Sequence, residues 1–199
     1  MDGMLKEVEL AYDNAKEGRW DRVMAGWEQF PVLARRCSRY RKPSSGWTFL
    51  HQAAYFGDEA ASRLLIRWGA RIGHVAGIAA DTGGNGGSGN SCASQTPADV
   101  AEERGHAALA SLLRAANLDD RKLYAAPTDD DLLPSSCHWD EAAERRAAEP
   151  MLVSYGGGIV KIPKGSRHFV DAFDRTLIGW HGTFDPPLDM GGYPAVGIR

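Results

Sequence analysis

A chain of 199 residues with 23 basic and 26 acidic side chains carries a formal charge of -3, which excludes polyanion binding driven by bulk charge and leaves only local basic patches for that role. The length suffices for one hydrophobic core, or one core with an appendage, and no apolar run approaches the roughly 20 residues a bilayer demands. Three widely spaced cysteines, Cys37, Cys92 and Cys137, make neither a disulfide framework nor a zinc site and suit a reducing compartment.

The opening residues 1–7 have neither the basic-then-apolar order of a secretory signal nor the Arg/Ser-rich character of a transit peptide, so an intracellular protein, cytoplasmic by default, is expected. Residues 9–20 then read as a helix, a glycine corner at Gly18 and the start of a second helix. Trp20, Val23, Met24 and Trp27 give that second helix an apolar stripe.

Residues 35–45 interrupt the pattern with Arg35, Arg36, Arg39, Arg41 and Lys42 around Tyr40, followed by Pro43-Ser44-Ser45. Clustered arginines with an interleaved aromatic suit an acidic surface or a phosphate backbone, whereas near-neutral whole-chain charge favours a solvated loop. Next comes Gly46-Trp47-Thr48-Phe49-Leu50-His51-Gln52-Ala53-Ala54-Tyr55-Phe56-Gly57-Asp58, with Leu64-Leu65 and Gly69-Ala70 behind it. Thr48 is placed to cap a helix that Gly57 ends, and Ala61, Leu64 and Leu65 form one face of the helix after it.

A second insertion, residues 72–94, is rich in glycine between Asp81 and Ser91. No Gly-Lys-Ser/Thr follows, so a spacer is expected rather than a phosphate cradle. Shifting Thr48 by 48 positions to Thr96 then uncovers a second copy: Thr96-Pro97-Ala98-Asp99-Val100-Ala101, Gly105-His106 and Leu112-Leu113. At a shift of 39 in the other direction, Ala15 and Gly18 fall beneath Ala54 and Gly57.

These copies resemble ankyrin repeats, whose pattern is Gly-x-Thr-Pro-Leu-His-x-Ala-Ala, then Gly-His, a Leu-Leu pair and Gly-Ala. The first clear copy departs at Phe49, where the family has Pro, and the second has Ala98-Asp99 in place of Leu-His. The resemblance covers about residues 4–116 and is clearest at 46–70 and 95–116. It implies a helical stack of about three repeats with a degenerate first one, and gives His51 a structural role hydrogen-bonding neighbouring turns. It also implies a binding surface for other proteins that includes Trp47, Phe49, Tyr55, Phe56 and the basic insertion.

Beyond this stack, residues 119–139 read as an acidic, proline-containing linker and residues 140–149 as a short helix capped by Asp140. Cys137-His138 suits packing better than nucleophile and base, because sequence neighbours rarely face one another that way. Residues 150–199 divide into short β-rich runs separated by turn formers, the pattern of a small meander with Asp174-Arg175 as a tight hairpin turn. So small a sheet is expected to pack on the helices or on another protein.

The fold class expected is therefore mainly α, a repeat stack spanning residues 1–118 with a β-rich C-terminal extension. The function expected is a non-enzymatic interaction module, a scaffold or accessory subunit of a larger protein assembly, with no catalytic residue, metal or cofactor. Candidate partner-binding residues are Arg35, Arg36, Arg39, Tyr40, Arg41, Trp47, Phe49, Tyr55 and Phe56. In the tail, Trp180 and Phe184 are expected to plug an interface. The rival reading makes His168, His181 and Asp185 a small catalytic or ligand-binding site. A second rival sets the Arg35 to Lys42 stretch against an acidic partner or nucleic acid.

Overall fold

The computed structural model describes residues 2–76, 95–117, 123–179 and 181–186. Within them lie the helices α1 (Asp2–Lys16), α2 (Trp20–Gln29), α3 (Pro31–Arg39), α4 (Phe49–Phe56), α5 (Glu59–Arg67), α6 (Pro97–Glu103) and α7 (Ala107–Ala116). Six of these form three antiparallel pairs turned by one device. Gly18, Gly57 and Gly105 take left-handed backbone, at φ 74°, 70° and 82°. The next amide, of Arg19, Asp58 or His106, donates to the carbonyl five residues back, on Asn14, Ala53 or Ala101, at 2.8–2.9 Å. These are the bonds that satisfy orphan carbonyls at a helix end, and they recur at the spacings of 39 and 48 residues found in the sequence.

The helix starts are equally local. Thr48 Oγ1 accepts the His51 amide while His51 Nδ1 takes the Thr48 amide, a reciprocal cap on α4. On α6 the same box is closed by Thr96 and the Asp99 carboxylate, which accepts from the Thr96 amide at 2.9 Å. The second copy's departure from Leu-His is thus a substitution of one capping acceptor for another. Asp58 Oδ1 caps α5 by accepting the Ala61 amide at 2.8 Å.

Side chains of one face of each helix fill a continuous core. Fully buried alanines, Ala15, Ala53, Ala54, Ala61 and Ala101, let helix backbones approach, and Leu50, Leu65, Ile66, Leu109 and Leu113 fill the space between them. Around Phe49 an aromatic cluster ties α1, α2 and α3 to α4: its ring centroid lies 5.2 Å from Tyr12, 5.9 Å from Trp27 and 6.1 Å from Tyr40. Edge-on and tilted arrangements of this kind add to the energy of burial.

Successive corners also stack on each other, and the stacking tells two of the glycines apart. A Cβ at Gly57 would come within 2.6 Å of the His106 ring, whereas one at Gly105 meets nothing within 4 Å. Both glycines have positive φ, so alanine at either is expected to cost about 1–2 kcal/mol of backbone strain. Gly57→Ala is expected to cost more than Gly105→Ala, by the energy of displacing His106. Urea unfolding of the two variants measures this difference, and equal losses would remove His106 from the account.

The first insertion differs from the sequence expectation. Residues 35–39 are not a solvated loop but the last turn and a half of α3, which begins with Pro31 in the helix's first turn, where a proline loses no bond. Ala34, Cys37 and Ser38 are its buried face, leaving the arginines at partly or fully exposed positions. Burial pushes the Cys37 thiol up to about 12, which leaves it inert. The loop proper is residues 41–48, closed by an antiparallel bridge between Arg41 and Thr48, with the Lys42 amide donating to the Trp47 carbonyl at 2.8 Å. A matching bridge joins Ala76 and Gln95 ahead of α6. The glycine-rich stretch it brackets, within residues 77–94, lies outside the described residues.

The C-terminal half contains β1 (Ser135–Ser136), β2 (Ala143–Arg146), β3 (Met151–Tyr155), β4 (Gly158–Ile162), β5 (Arg167–Val170) and β6 (Thr176–Leu177). Expected as a meander, they form instead a mixed sheet in the order β1-β6-β5-β2, with β1 parallel to β6, and a separate β3-β4 hairpin. The hairpin turns on Gly156 and Gly157, both at positive φ, the two-residue turn that matches strand twist. A bridge from Leu133 to Val153 joins the hairpin to the chain entering β1. The β-unit therefore begins in what was expected to be linker, before residue 139.

The helix expected at 140–149 is a single 3₁₀ turn at Trp139–Glu141 followed by β2. Pairing decides this: Ala143, Glu144, Arg145 and Arg146 lie opposite Val170, Phe169, His168 and Arg167 of β5. A free nine-residue helix is marginal in water, so this cross-strand partner outweighs local helix propensity. Asp174-Arg175 is likewise not a two-residue turn. The loop runs from Asp171 to Arg175, closed by the Asp171 amide donating to the Arg175 carbonyl at 3.0 Å, with Asp174 at φ 57°.

Arginines dock this half on the helices. Arg39 donates to the carbonyls of Pro127 (2.9 Å) and Leu132 (2.8 Å) and pairs with Asp130 at 3.2 Å. Arg175 reaches the Ala116 carbonyl at the end of α7, 2.8 Å away. Arg63 on α5 lies over the Phe173 ring and donates to the Ala172 carbonyl at 3.3 Å. Among the described residues no helix is long and apolar enough to cross a membrane.

Candidate binding groove on the helical half

Between α1, α4 and the 41–48 loop lies an open groove of about 590 Å³. Trp47 enters it from the loop, while Tyr55 and Phe56 come from the last turn of α4, just before the corner glycine. Their rings form a chain: Trp47 to Tyr55 is 6.2 Å between centroids and Tyr55 to Phe56 is 5.1 Å. Tyr55 and Phe56 are 36% and 40% exposed, large apolar surface left uncovered by the fold.

The charged lining of the groove is two lysines against one aspartate. Lys16 and Lys42 line it beside Asp13, and the Arg104 guanidinium stacks 3.6 Å from the centre of the Tyr55 ring. Gln52 closes the floor by donating to the Tyr12 hydroxyl at 2.9 Å, and Lys42 Nζ stands 5.6 Å from the Tyr12 ring centre. Burial raises the Tyr12 phenol above its ordinary value and keeps it neutral. Such a surface offers aromatic faces flanked by cations, with the ring of Tyr55 between Arg104 and Trp47.

Of the nine residues expected at a partner surface, the structure brings Trp47, Tyr55 and Phe56 together here. Phe49 is a correction: it is fully buried at the centre of the aromatic cluster, because residue 49 opens α4 on its core side. Tyr40 is half-buried in that same cluster. Arg39 is nearly enclosed by its C-terminal partners, Arg36 lies 3.3 Å from Asp130, and Arg35 stacks 5.9 Å from the Trp68 ring centre. Much of the basic stretch is spent holding the two halves together. Arg41 is exposed at the loop base.

Lys16, Gln52 and Arg104 were missed by sequence reasoning, although one signal was available. At the shift of 39 Lys16 occupies the place of Tyr55, and at the shift of 48 Arg104 occupies that of Phe56. Repeat-equivalent positions line one surface, so the two aromatics marked the other members.

His51 has the structural role the resemblance implied for it. It is fully buried, with Nδ1 on Thr48 and Nε2 3.1 Å from the Gln95 carbonyl, so it ties the α4 cap to the next loop. In the tail, His168 is buried on β5, while His181 and Asp185 are exposed and line no part of the cleft that His168 lines. Phe184 packs against the Val153, Ile162 and Ile178 cluster inside the C-terminal half itself. Trp180 lies outside the described residues. Among the described residues no three His, Cys, Asp or Glu side chains are grouped as a metal site requires. No family model, curated protein or solved structure matches this chain.

Proposed function

We propose that the helical half is an ankyrin-type repeat stack serving as a non-enzymatic protein-interaction module, and that the Trp47–Tyr55–Phe56 groove holds a segment of a partner protein. The observation that carries this reading is the row of exposed aromatics at the groove, flanked by Lys16, Lys42 and Arg104. Three helix pairs with one corner geometry support the repeat reading, since each pair buries its apolar face against the next and leaves the loop-side edges free. An apolar row bordered by cations suits a segment that carries acidic side chains next to an apolar anchor.

Affinity purification of the intact chain from its native source, followed by calorimetry with the partner recovered, tests this. Tyr55→Ala and Phe56→Ala together are expected to weaken binding at least about 30-fold, the loss of one interface hot spot of roughly 2 kcal/mol. Ile159→Ala, on the β3-β4 hairpin and more exposed than either, should leave it unchanged. A stoichiometric partner held as tightly by the double variant as by the native chain overturns the assignment of this groove.

A further inference from the structure

A second cleft, of about 530 Å³, separates the β-sheet from α3 and α5 and shares no residue with the groove above. Strand register builds one wall. Arg145 lies opposite His168 and Val170 opposite Thr176, and directly opposed or alternate residues project from the same face of a sheet. All four line the cleft. The other wall is Arg35 from α3 with Arg67 and Trp68 from the end of α5.

Polar groups here are under-used. Arg67 and Arg145 reach Asp174 from opposite walls only loosely, at 3.9 Å and 3.8 Å. His168 is 4% exposed and its Nδ1 has no hydrogen-bond partner; the buried Nε of Arg35 has none either. Buried polar atoms are nearly always paired, so two orphans on residues lining one cleft call for an explanation. The charged lining comprises Arg35, Arg67, Arg145 and Arg146 against Asp131, Glu149 and Asp174, an excess of one positive charge. Apart from His168 and Thr176 the remainder is apolar, with Trp68, Met151 and Val170 among it.

We propose that this cleft binds a small organic carboxylate, its oxygens on the guanidinium groups of Arg35, Arg67 and Arg145 beside His168, and its apolar body on Trp68, Met151 and Val170. A single positive excess matches one carboxylate better than a dianionic phosphate. The volume lies in the range of small-molecule sites, where a few placed polar groups orient an otherwise apolar ligand. The planar guanidinium supplies paired donors that fit a carboxylate.

Calorimetric titration of the intact chain with 2-naphthoate, inorganic phosphate and 2-naphthalenemethanol tests the assignment. Saturable one-to-one binding of 2-naphthoate is expected, weakened at least about tenfold by Arg67→Met and by Arg145→Met, the loss of one charge-assisted hydrogen bond. Both side chains are about half exposed, so these variants fold. Arg22→Met, on the exposed face of α2 and away from the cleft, should bind as the native chain does. Absence of saturable binding overturns the proposal, as does equal binding of the neutral alcohol or indifference to both arginine variants. Tighter binding of phosphate with the same arginine dependence overturns the choice of carboxylate.

Discussion

Arg175→Met is expected to lower the free energy of unfolding by about 3–5 kcal/mol, the cost of stranding one partner of a buried ion pair. Arg175 and Asp171 have side chains 5% and 1% exposed, and Nε meets Oδ2 at 2.8 Å. The same carboxylate accepts the amides of Phe173 and Arg175, which shape the 171–175 loop. On its other side the guanidinium takes the Ala116 carbonyl, one of the groups that α7 cannot satisfy internally. Methionine fills most of the volume, so the loss reports charge and hydrogen bonding rather than a cavity. Asp171→Asn in the same chain should recover part of it, because the asparagine oxygen still serves the two loop amides while the unpaired charge is gone. Urea midpoints of native, single and double variants read this directly. A single variant within about 1 kcal/mol of native, or a double variant no better than the single, would refute the account.

Arg175 also marks where reading the sequence stops. It was legible as a turn residue from its neighbours, but its partner at Ala116 lies 59 positions away and leaves no local trace. Corner glycines, threonine caps and leucine faces were legible because each works within five or six residues: Gly57 needs only its own φ, and Thr48 only His51. The α3 helix was hidden because buried Ala34, Cys37 and Ser38 are small and sit among three arginines, so charge masked a spacing of three and four. Ala143 to Arg146 lie in a stretch that reads as helix by composition and become strand through β5, whose paired residues lie more than twenty positions further on. The groove was half legible: Trp47, Tyr55 and Phe56 are conspicuous aromatics, while Lys16 and Arg104 emerge only when the repeat shift is applied.

Acid should weaken this fold well above the range in which carboxylates titrate, and His51 is the reason. Its imidazole is fully buried and held down to about 4 from the ordinary 6.5, chiefly by desolvation of the charged form. The hydrogen bonds require the neutral ring: Nδ1 accepts from the Thr48 amide while Nε2–H donates to the Gln95 carbonyl. An unfolded chain takes up the proton below pH about 6.5, whereas the folded chain does so only near 4. Between those values the unfolded state binds more protons, so stability falls as pH falls, by up to about 1.4 kcal/mol per unit and about 3 kcal/mol in all. Above pH about 6.5 the term is flat, and below about 4 it is flat again because both states are protonated. His74 and His168, both lowered by burial, add to the same slope. His51→Gln removes this proton uptake while leaving a capping-box side chain at the third position of α4. Chemical denaturation from pH 7.5 to 4 should give a native curve that descends and a variant curve shallower by about 3 kcal/mol. Parallel curves would mean that His51 is protonated within the fold, and the bonds that join the α4 cap to Gln95 would then have to be drawn differently.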